Sequence, residues 1–392
     1  MIKRILYTLL IMFPVVASAQ INTDRVMAIG RNALYFEDYV LSIQYFNQVI
    51  NAKPYLSDPY FYRGLAKINL DDFQGAESDC SEAIERNPFV VSAYQVRGLA
   101  RIQQNNFAGA IEDYTKALEF DPENIGVWHN MALCRIRQED YKGAKNDLDK
   151  LIAISPRYTK AYLMRGEVDL KQKDTLAAEK DFGKAIEIDR YDADTWASRA
   201  ILRLQQQRYK DAEADFDHAI RLSTRNSGVY INRALARYHQ NNLRGAMSDY
   251  DIALDIDPNN FIGHYNRGLL RAQVGDDNRA IQDFNFVIEM EPDNMMAIFN
   301  RGLLLDQTGD YKGAIKDYST VINEYPNFLL GYQYRAQARR KIGDVKGADA
   351  DEFKVLKAQL DKQNGVDPNK QTADNTENNK PVRSPTRHEQ LS

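Results

Sequence analysis

Tyr94-Gln95-Val96-Arg97-Gly98, then Ala110, then Asp113-Tyr114 and Ala117, then Pro122: this stretch is copied along most of the 392-residue chain. Thirty-four residues after Ala110 stands Ala144 (144 minus 110), and the same step meets Ala178, Ala212, Ala246, Ala280, Ala314 and Ala348. Stepping back meets Ala76 and then Ser42. The prolines keep the step at Pro54, Pro88, Pro122, Pro156, Pro258, Pro292 and Pro326. One period of this length, held through the chain, marks a stacked-repeat architecture in which each unit packs chiefly on its neighbours.

With Ser57 as position 1, ten repeats follow: 23–56, 57–90, 91–124, 125–158, 159–192, 193–226, 227–260, 261–294, 295–328 and 329–362. Each holds two apolar segments of helical spacing. Polar residues or glycine break them near positions 14–17, as in Gln104-Asn105-Asn106, Gly275-Asp276 and Gly309-Asp310, and proline at position 32 stops the second. Each repeat therefore reads as helix A, turn, helix B. Position 8 is Gly or Ala throughout, from Gly30 to Ala336, and position 20 is Ala or Ser, which lets the two helices approach closely. Rings at position 24 (Tyr114, Phe182, Phe216, Tyr250, Phe284, Tyr318) fill the space to the next repeat. Burying each contributes about 1.5–3 kcal/mol.

Repeat 3 carries Tyr94-x2-Arg97-Gly98-x2-Arg101, Ala110-x3-Tyr114 and Pro122. The sequence closely resembles the tetratricopeptide repeat (TPR) family, whose 34-residue pattern is W-x2-L-G-x2-Y, then A-x3-F, then P. The resemblance covers about residues 23–362. It implies an all-α solenoid that coils into a right-handed superhelix, with helix A positions 2, 5, 6, 9, 12 and 13 on a concave groove that holds a peptide or a partner protein. One subclass clamps a C-terminal carboxylate with Lys, Arg and Asn. Here position 6 carries no base in repeats 2–10 and Lys160 is the only Lys at position 2, so a carboxylate clamp is not expected.

The generic pattern has Leu at position 7. This chain has Arg63, Arg97, Arg165, Arg199, Arg233, Arg267, Arg301 and Arg335 there, and Asp at position 23 in nine repeats (among them Asp113, Asp181, Asp249, Asp283 and Asp317). In an antiparallel hairpin turning near position 15, positions 7 and 23 lie at one height, which predicts bidentate pairs across the hairpin. Repeat 1 loses both partners together, to Ile29 and Tyr45. In repeat 4, Met131 leaves Asp147 to find another base, with Arg135 one turn on. Position 11 is also mostly basic. An internal ion-pair ladder accounts for these bases better than a cationic track for an acidic ligand, and such pairs set register more than they stabilise.

The binding expectation falls on repeats 7–10. Asn232, Asn266 and Asn300 form a row at position 6, and an amide can both donate to and accept from an extended peptide backbone. Beside them, position 2 is apolar (Ile262, Met296, Leu330), and position 5 supplies Tyr265 and Phe299. An apolar strip beside amides suits peptide capture. The alternative is that the apolar residues pack under the preceding turn.

Lys3 and Arg4 precede an apolar run from Ile5 to Val16 and then Ala17-Ser18-Ala19. This has the form of a signal peptide spanning 1–19 and cleaved before Gln20; a membrane anchor is the alternative. Export to a bacterial periplasm, or secretion, is expected, with no transmembrane segment left after cleavage. Cleavage would take the formal charge from -4 to about -6. The acidic balance argues against a nucleic-acid partner. Cys80 and Cys134 stand at packing positions of non-adjacent repeats and are expected to be free thiols. Residues 363–392, rich in Asn, Thr and charge, read as a disordered tail.

None of the five histidines has metal-ligand spacing, and no phosphate-loop, nucleophile-elbow or dinucleotide motif occurs. No catalytic residue, metal or cofactor is expected. The expected function is a non-enzymatic scaffold or adaptor. Alternatives are a self-associating envelope component whose solenoid ends stack, and a holdase or accessory enzyme subunit. Against stacking, the last helix, about Val345 to Leu360, turns polar toward its end and reads as a cap. Repeat 5 has Thr175 in place of the turn aromatic, and repeats 5 and 6 lose the position-32 proline to Arg190 and Thr224, so 175–226 is the place for a hinge or change of curvature if there is one; ordinary drift is the better account.

Overall fold

The computed structural model describes residues 22–223 and 225–363. Outside them lie Thr224, residues 1–21, which include the expected signal peptide, and residues 364–392, where the expected disordered tail falls. The described residues form twenty α-helices and no strand, paired consecutively as a TPR-type solenoid. Repeat 1 is α1 (Thr23–Tyr35) and α2 (Tyr39–Ala52). Then come α3 (Asp58–Ile68) with α4 (Phe73–Arg86), α5 (Val91–Gln103) with α6 (Phe107–Phe120), α7 (Ile125–Arg137) with α8 (Tyr141–Ile154), and α9 (Thr159–Lys171) with α10 (Thr175–Ile188). The chain continues with α11 (Ala193–Gln205) and α12 (Tyr209–Leu222), α13 (Ser227–His239) and α14 (Leu243–Ile256), and α15 (Phe261–Gln273) and α16 (Asp277–Met290). It ends with α17 (Met295–Thr308) and α18 (Tyr311–Glu324), and α19 (Leu329–Lys341) and α20 (Val345–Gln363). The chain divides into two compact units, 1–199 and 200–392, with the boundary inside α11.

Each hairpin closes by the same local chemistry. Position 15 takes a left-handed φ in all ten repeats, with Glu37, Asp71, Asn105, Glu139, Lys173, Gln207 and Asn241 in the first seven and Gly275, Gly309 and Gly343 in the last three. The position-16 N–H then donates back to the position-11 carbonyl, as from Asn106 to Arg101 and from Asp174 to Asp169, ending helix A. The residue at position 16 caps helix B: Asp72, Asn106, Asp140, Asp174, Asn242 and Asp310 each accept from the N–H three residues on.

Close approach of helices A and B rests on position 8. A Cβ added at Gly98 would lie 2.8 Å from the Tyr114 ring, and at Gly166 2.6 Å from the Phe182 ring. The position-24 ring thus seats on position 8 of its own repeat and also meets the next one: Tyr114 shares a cluster with Val127, Met131 and Cys134. Cys80 and Cys134 are free and fully buried, and burial pushes their thiols up to about 12 and about 11.

The last helix differs from its sequence reading. α20 runs three residues past Leu360, to Gln363, and its outer surface is not uniformly polar, because Phe353, Leu356 and Leu360 are all exposed.

Candidate functional site: the A-helix face of repeats 7 to 10

On a helix, positions 2, 6, 9 and 13 share one face. In α15 they are Ile262, Asn266, Leu269 and Gln273; in α17 they are Met296, Asn300, Leu303 and Gln307. In α13 the set is Gly228, Asn232, Leu235 and His239, and in α19 it is Leu330, Tyr334, Gln337 and Lys341. Ile262, Leu269, Met296 and Leu330 are exposed, while Asn232, Asn266 and Asn300 are half-buried. The structure therefore places amide and apolar groups in parallel rows. Leu269 was not among the candidates read from the sequence, although Leu or Ile recurs at position 9 in seven repeats and could have drawn attention to it.

Two candidates do something other than face outward. The Tyr265 ring packs edge-on against Phe284 at 5.8 Å, and its hydroxyl accepts from the Asn300 amide at 3.2 Å. Phe299 sits among Tyr318, Phe328 and Tyr334, with ring centroids 5.8, 5.1 and 5.8 Å away. Position 5 thus serves packing between rings, and Tyr265 ties the α15 face to the amide of the following repeat.

Within the hairpins, helix A and helix B are joined by Arg–Asp ion pairs. Arg97 Nε and Nη2 donate to Asp113 at 3.1 and 2.7 Å. The same geometry joins Arg165 to Asp181, Arg233 to Asp249, Arg267 to Asp283 and Arg301 to Asp317. These carboxylates are almost wholly buried. The position-11 base adds a second donor, as Arg101 does to Asp113 at 3.0 Å and Arg237 to Asp249 at 2.9 Å. In repeat 4, Arg135 Nε reaches Asp147 at 2.8 Å.

The ladder also crosses between repeats in a way the sequence analysis missed. The remaining Nη1 of the position-7 arginine donates to position 25 of the preceding repeat: Arg97 to Ser81 at 3.1 Å, Arg165 to Asp149 at 2.6 Å, Arg233 to Asp217 at 2.7 Å and Arg301 to Asn285 at 2.8 Å. Arg101 and Arg237 likewise reach Glu77 and Glu213 of the preceding repeat. At the junction of repeats 4 and 5 this last pair is reversed in sign, Lys145 donating to Asp169. These guanidinium groups are held by carboxylates and amides of the chain's own repeats.

A second cross-repeat bond comes from position 4. Trp128 Nε1, Tyr162 Oη and Trp196 Nε1 donate to the carbonyls of Pro122, Pro156 and Arg190, at 2.8, 3.1 and 3.0 Å. In repeat 8 this place belongs to His264, whose Nε2 lies 3.0 Å from the Pro258 carbonyl and whose Nδ1 lies 2.8 Å from Asp283.

Among the described residues, no group of three or more His, Cys, Asp or Glu could hold a metal ion, and no helix is long and apolar enough to cross a membrane.

Three tetratricopeptide-repeat family models match the chain: a "TPR repeat" model at 98–134, and two "Tetratricopeptide repeat" models at 125–158 with 159–192, and at 198–261 with 265–327. The chain is a tetratricopeptide repeat protein. Among solved structures, this TPR protein is similar to one from Parabacteroides merdae, at 21% identity and TM-score 0.50, covering 64% of this chain and 98% of that one. Pseudomonas aeruginosa pilF is 19% identical with TM-score 0.47, covering 55% and 97%. YrrB, described as a TPR protein with an unusual peptide-binding site, is 20% identical with TM-score 0.39, covering 47% and 95%. No curated protein matches the TPR chain. Its fold is a typical non-enzymatic, protein-interaction fold, and its repeats are those of a protein-interaction scaffold.

Proposed function

We propose that the protein is an exported, non-catalytic adaptor, resident in a bacterial periplasm, that captures an extended peptide segment of a partner protein on the A-helix face of repeats 7 to 10. The observation that carries the reading is the alignment of half-buried Asn232, Asn266 and Asn300 beside exposed Ile262, Leu269, Met296 and Leu330. Amides at one position in three consecutive repeats can bond a peptide backbone at intervals, while the apolar row receives side chains. Clustered exposed apolar groups rimmed by polar ones mark interaction surfaces. Export rests on the Lys3-Arg4 start, the Ile5–Val16 run and the Ala17-Ser18-Ala19 junction.

The test is affinity capture from an envelope extract with the wild-type protein and with Asn266→Ala/Met296→Asp. The expected result is a partner held by the first and lost by the second, with helical content unchanged. Equal capture by both would remove the site from this face.

A further inference from the structure

Both ends of the repeat array depart from the internal pattern, and they depart in matching ways. At seven of the nine internal junctions, the position-7 arginine reaches position 25 of the preceding repeat, as Arg63 does to Asn47 at 2.6 Å, Arg267 to Asp251 at 2.8 Å and Arg335 to Ser319 at 2.9 Å. Repeat 1 has no preceding repeat within the array, and its position 7 is Ile29, which is exposed. Repeat 10 is the last of the ten, and its position 25 is Phe353, 66% exposed. At those seven junctions the two positions are polar and bonded; at the other two they are Met131 with Thr115 and Arg199 with Gly183. At the two open ends both are apolar and bare.

Position 28 says the same. It is Ile or Leu in all ten repeats and buried or half-buried in nine, from Ile50 to Ile322. It packs on the next helix A: a Cβ added at position 3 of the following repeat would lie 3.0 Å from Leu254 at Gly263 and 2.5 Å from Ile322 at Gly331. In repeat 10 it is Leu356, 53% exposed. Position 24 is apolar in the other nine repeats, a ring in seven of them, and Tyr114 there clusters with positions 3, 7 and 10 of the next repeat; in repeat 10 it is Glu352. Position 3 is small or apolar in every repeat after the first, whereas in repeat 1 it is Arg25, which is exposed. A solvated cap would carry polar residues at 25 and 28; this one keeps apolar residues and places an acid where the head of the array has a base.

We propose that the protein associates head to tail with a second copy of itself, α1 of one copy packing on α20 of the next in the register of an internal repeat junction. Ile29 meets Phe353, Arg25 faces Glu352, and Leu356 packs on the aliphatic stem of Arg25. The surface Arg340–Glu352 pair, 2.6 Å long and half-exposed, is weak enough to share its carboxylate. The interface is heterologous, so each added copy presents a fresh head and a fresh tail. It uses neither the Asn row nor the apolar row of repeats 7 to 10, and it stands or falls apart from peptide capture.

The experiment is sedimentation velocity on the processed full chain over a concentration series, with Ile29→Asp and Phe353→Asp as single variants. Wild type is expected to assemble with rising concentration, and each variant alone to associate at least tenfold more weakly. An equimolar mixture of the two variants is expected to form a one-to-one dimer and nothing longer, since only the intact head of Phe353→Asp and the intact tail of Ile29→Asp can join. The double variant Ile29→Arg/Phe353→Asp rebuilds the internal pair seen at Arg165 and Asp149, so it is expected to reassociate with a marked salt dependence. Circular dichroism confirms that each variant keeps its helices. A wild type that stays monomeric, association that survives either single substitution, or a variant mixture that stays monomeric would each overturn the proposal.

Discussion

Repeats 4 and 8 carry the same buried carboxylate at position 23 and treat it in opposite ways. Asp147 has the guanidinium of Arg135, at 2.8 Å, because Met131 occupies the position-7 place. Asp283 has Arg267 at 2.7 and 3.1 Å, Arg271 at 2.7 Å and His264 at 2.8 Å. Burial pushes both carboxyls up. In repeat 4 it outweighs Arg135 and raises Asp147 to about 6. In repeat 8 the hydrogen bonds from His264 and Arg267, with the charges of both arginines, outweigh it and hold Asp283 below its ordinary value. Yet α7 and α8 have 13 and 14 residues, as α15 and α16 do. The hairpin therefore does not need the arginine in order to form. What the arginine supplies is compensation for a buried charge, together with a tie to the preceding repeat.

Making repeat 8 resemble repeat 4 should give the largest effect. Arg267→Met removes a bidentate partner from Asp283 and leaves Asp251 only Arg271 at 3.8 Å, and is expected to cost about 2–3 kcal/mol locally, the range for charged hydrogen bonds lost at a buried group. Hydrogen exchange in α15 and α16 reads it, since an array of this kind can open locally. Adding Asp283→Asn should recover part of the loss. A cost under about 0.5 kcal/mol would show that His264 and Arg271 compensate the charge alone.

The reverse change sharpens the comparison through pH. The folded-state value of Asp147, about 6, lies above its ordinary 3.8, so the folded repeat binds this proton more tightly than the unfolded chain does. Repeat 4 therefore gains stability as pH falls from about 6 to about 4, and the penalty is fully present at pH 7, at about 2–3 kcal/mol by the linkage of about 1.4 kcal/mol per pH unit. Asp283 has the opposite sign: its contribution is present above the ordinary carboxylate value and is lost as pH falls through its lowered one. Met131→Arg should remove part of the repeat 4 penalty, since Asp113, paired with both Arg97 and Arg101, is still pushed above its ordinary value by burial. The Thr115 hydroxyl, 4.0 Å from Met131 Sδ, stands at position 25 of repeat 3 and can accept from the new guanidinium as Ser81 does from Arg97. The expected gain is about 1–2 kcal/mol at pH 7, against the apolar packing that the methionine gives up. Protection factors in α7 and α8, which correct for the intrinsic pH dependence of exchange, should then differ far less between pH 7 and pH 4.5 than in wild type.

How much of this could be read in advance differs from residue to residue. The hairpins were legible because Ala110, Gly98 and Pro122 each answer a steric demand that recurs at every turn of the array. Position 7 facing position 23 was legible because an antiparallel hairpin turning at position 15 sets them level. The bonds from position 7 to position 25 were not, since the acceptor is Ser81, Asp149 or Asn285 in turn, and no single residue type marks it. The reversed Lys145–Asp169 pair was hidden for the same reason. At the candidate site, the Asn row was visible as a row, but the inward turn of Tyr265 and Phe299 depends on Phe284 of α16 and on Phe328, which lies just before α19. In α20, Lys354 and Lys357 gave a polar impression that masked their neighbours Phe353 and Leu356.

The smallest effect should come from the turns, where the same two repeats differ again. Glu139 holds φ 61 in repeat 4, and Gly275 holds φ 81 in repeat 8. A side-chain-bearing residue in the left-handed region costs roughly 1–2 kcal/mol, while glycine loses roughly 0.5–1 kcal/mol more backbone entropy on folding. Glu139→Gly should therefore stabilise repeat 4 by about 0.5 kcal/mol, and Gly275→Ala should destabilise repeat 8 by about 1 kcal/mol. Neither change touches Asp147 or Asp283, so neither should alter the pH dependence of its repeat. Exchange in α7 and α8 for Glu139→Gly, beside Met131→Arg, separates the two causes. If the turn change moved repeat 4 further than the arginine did, backbone strain rather than the uncompensated charge of Asp147 would be what sets repeat 4 apart from repeat 8.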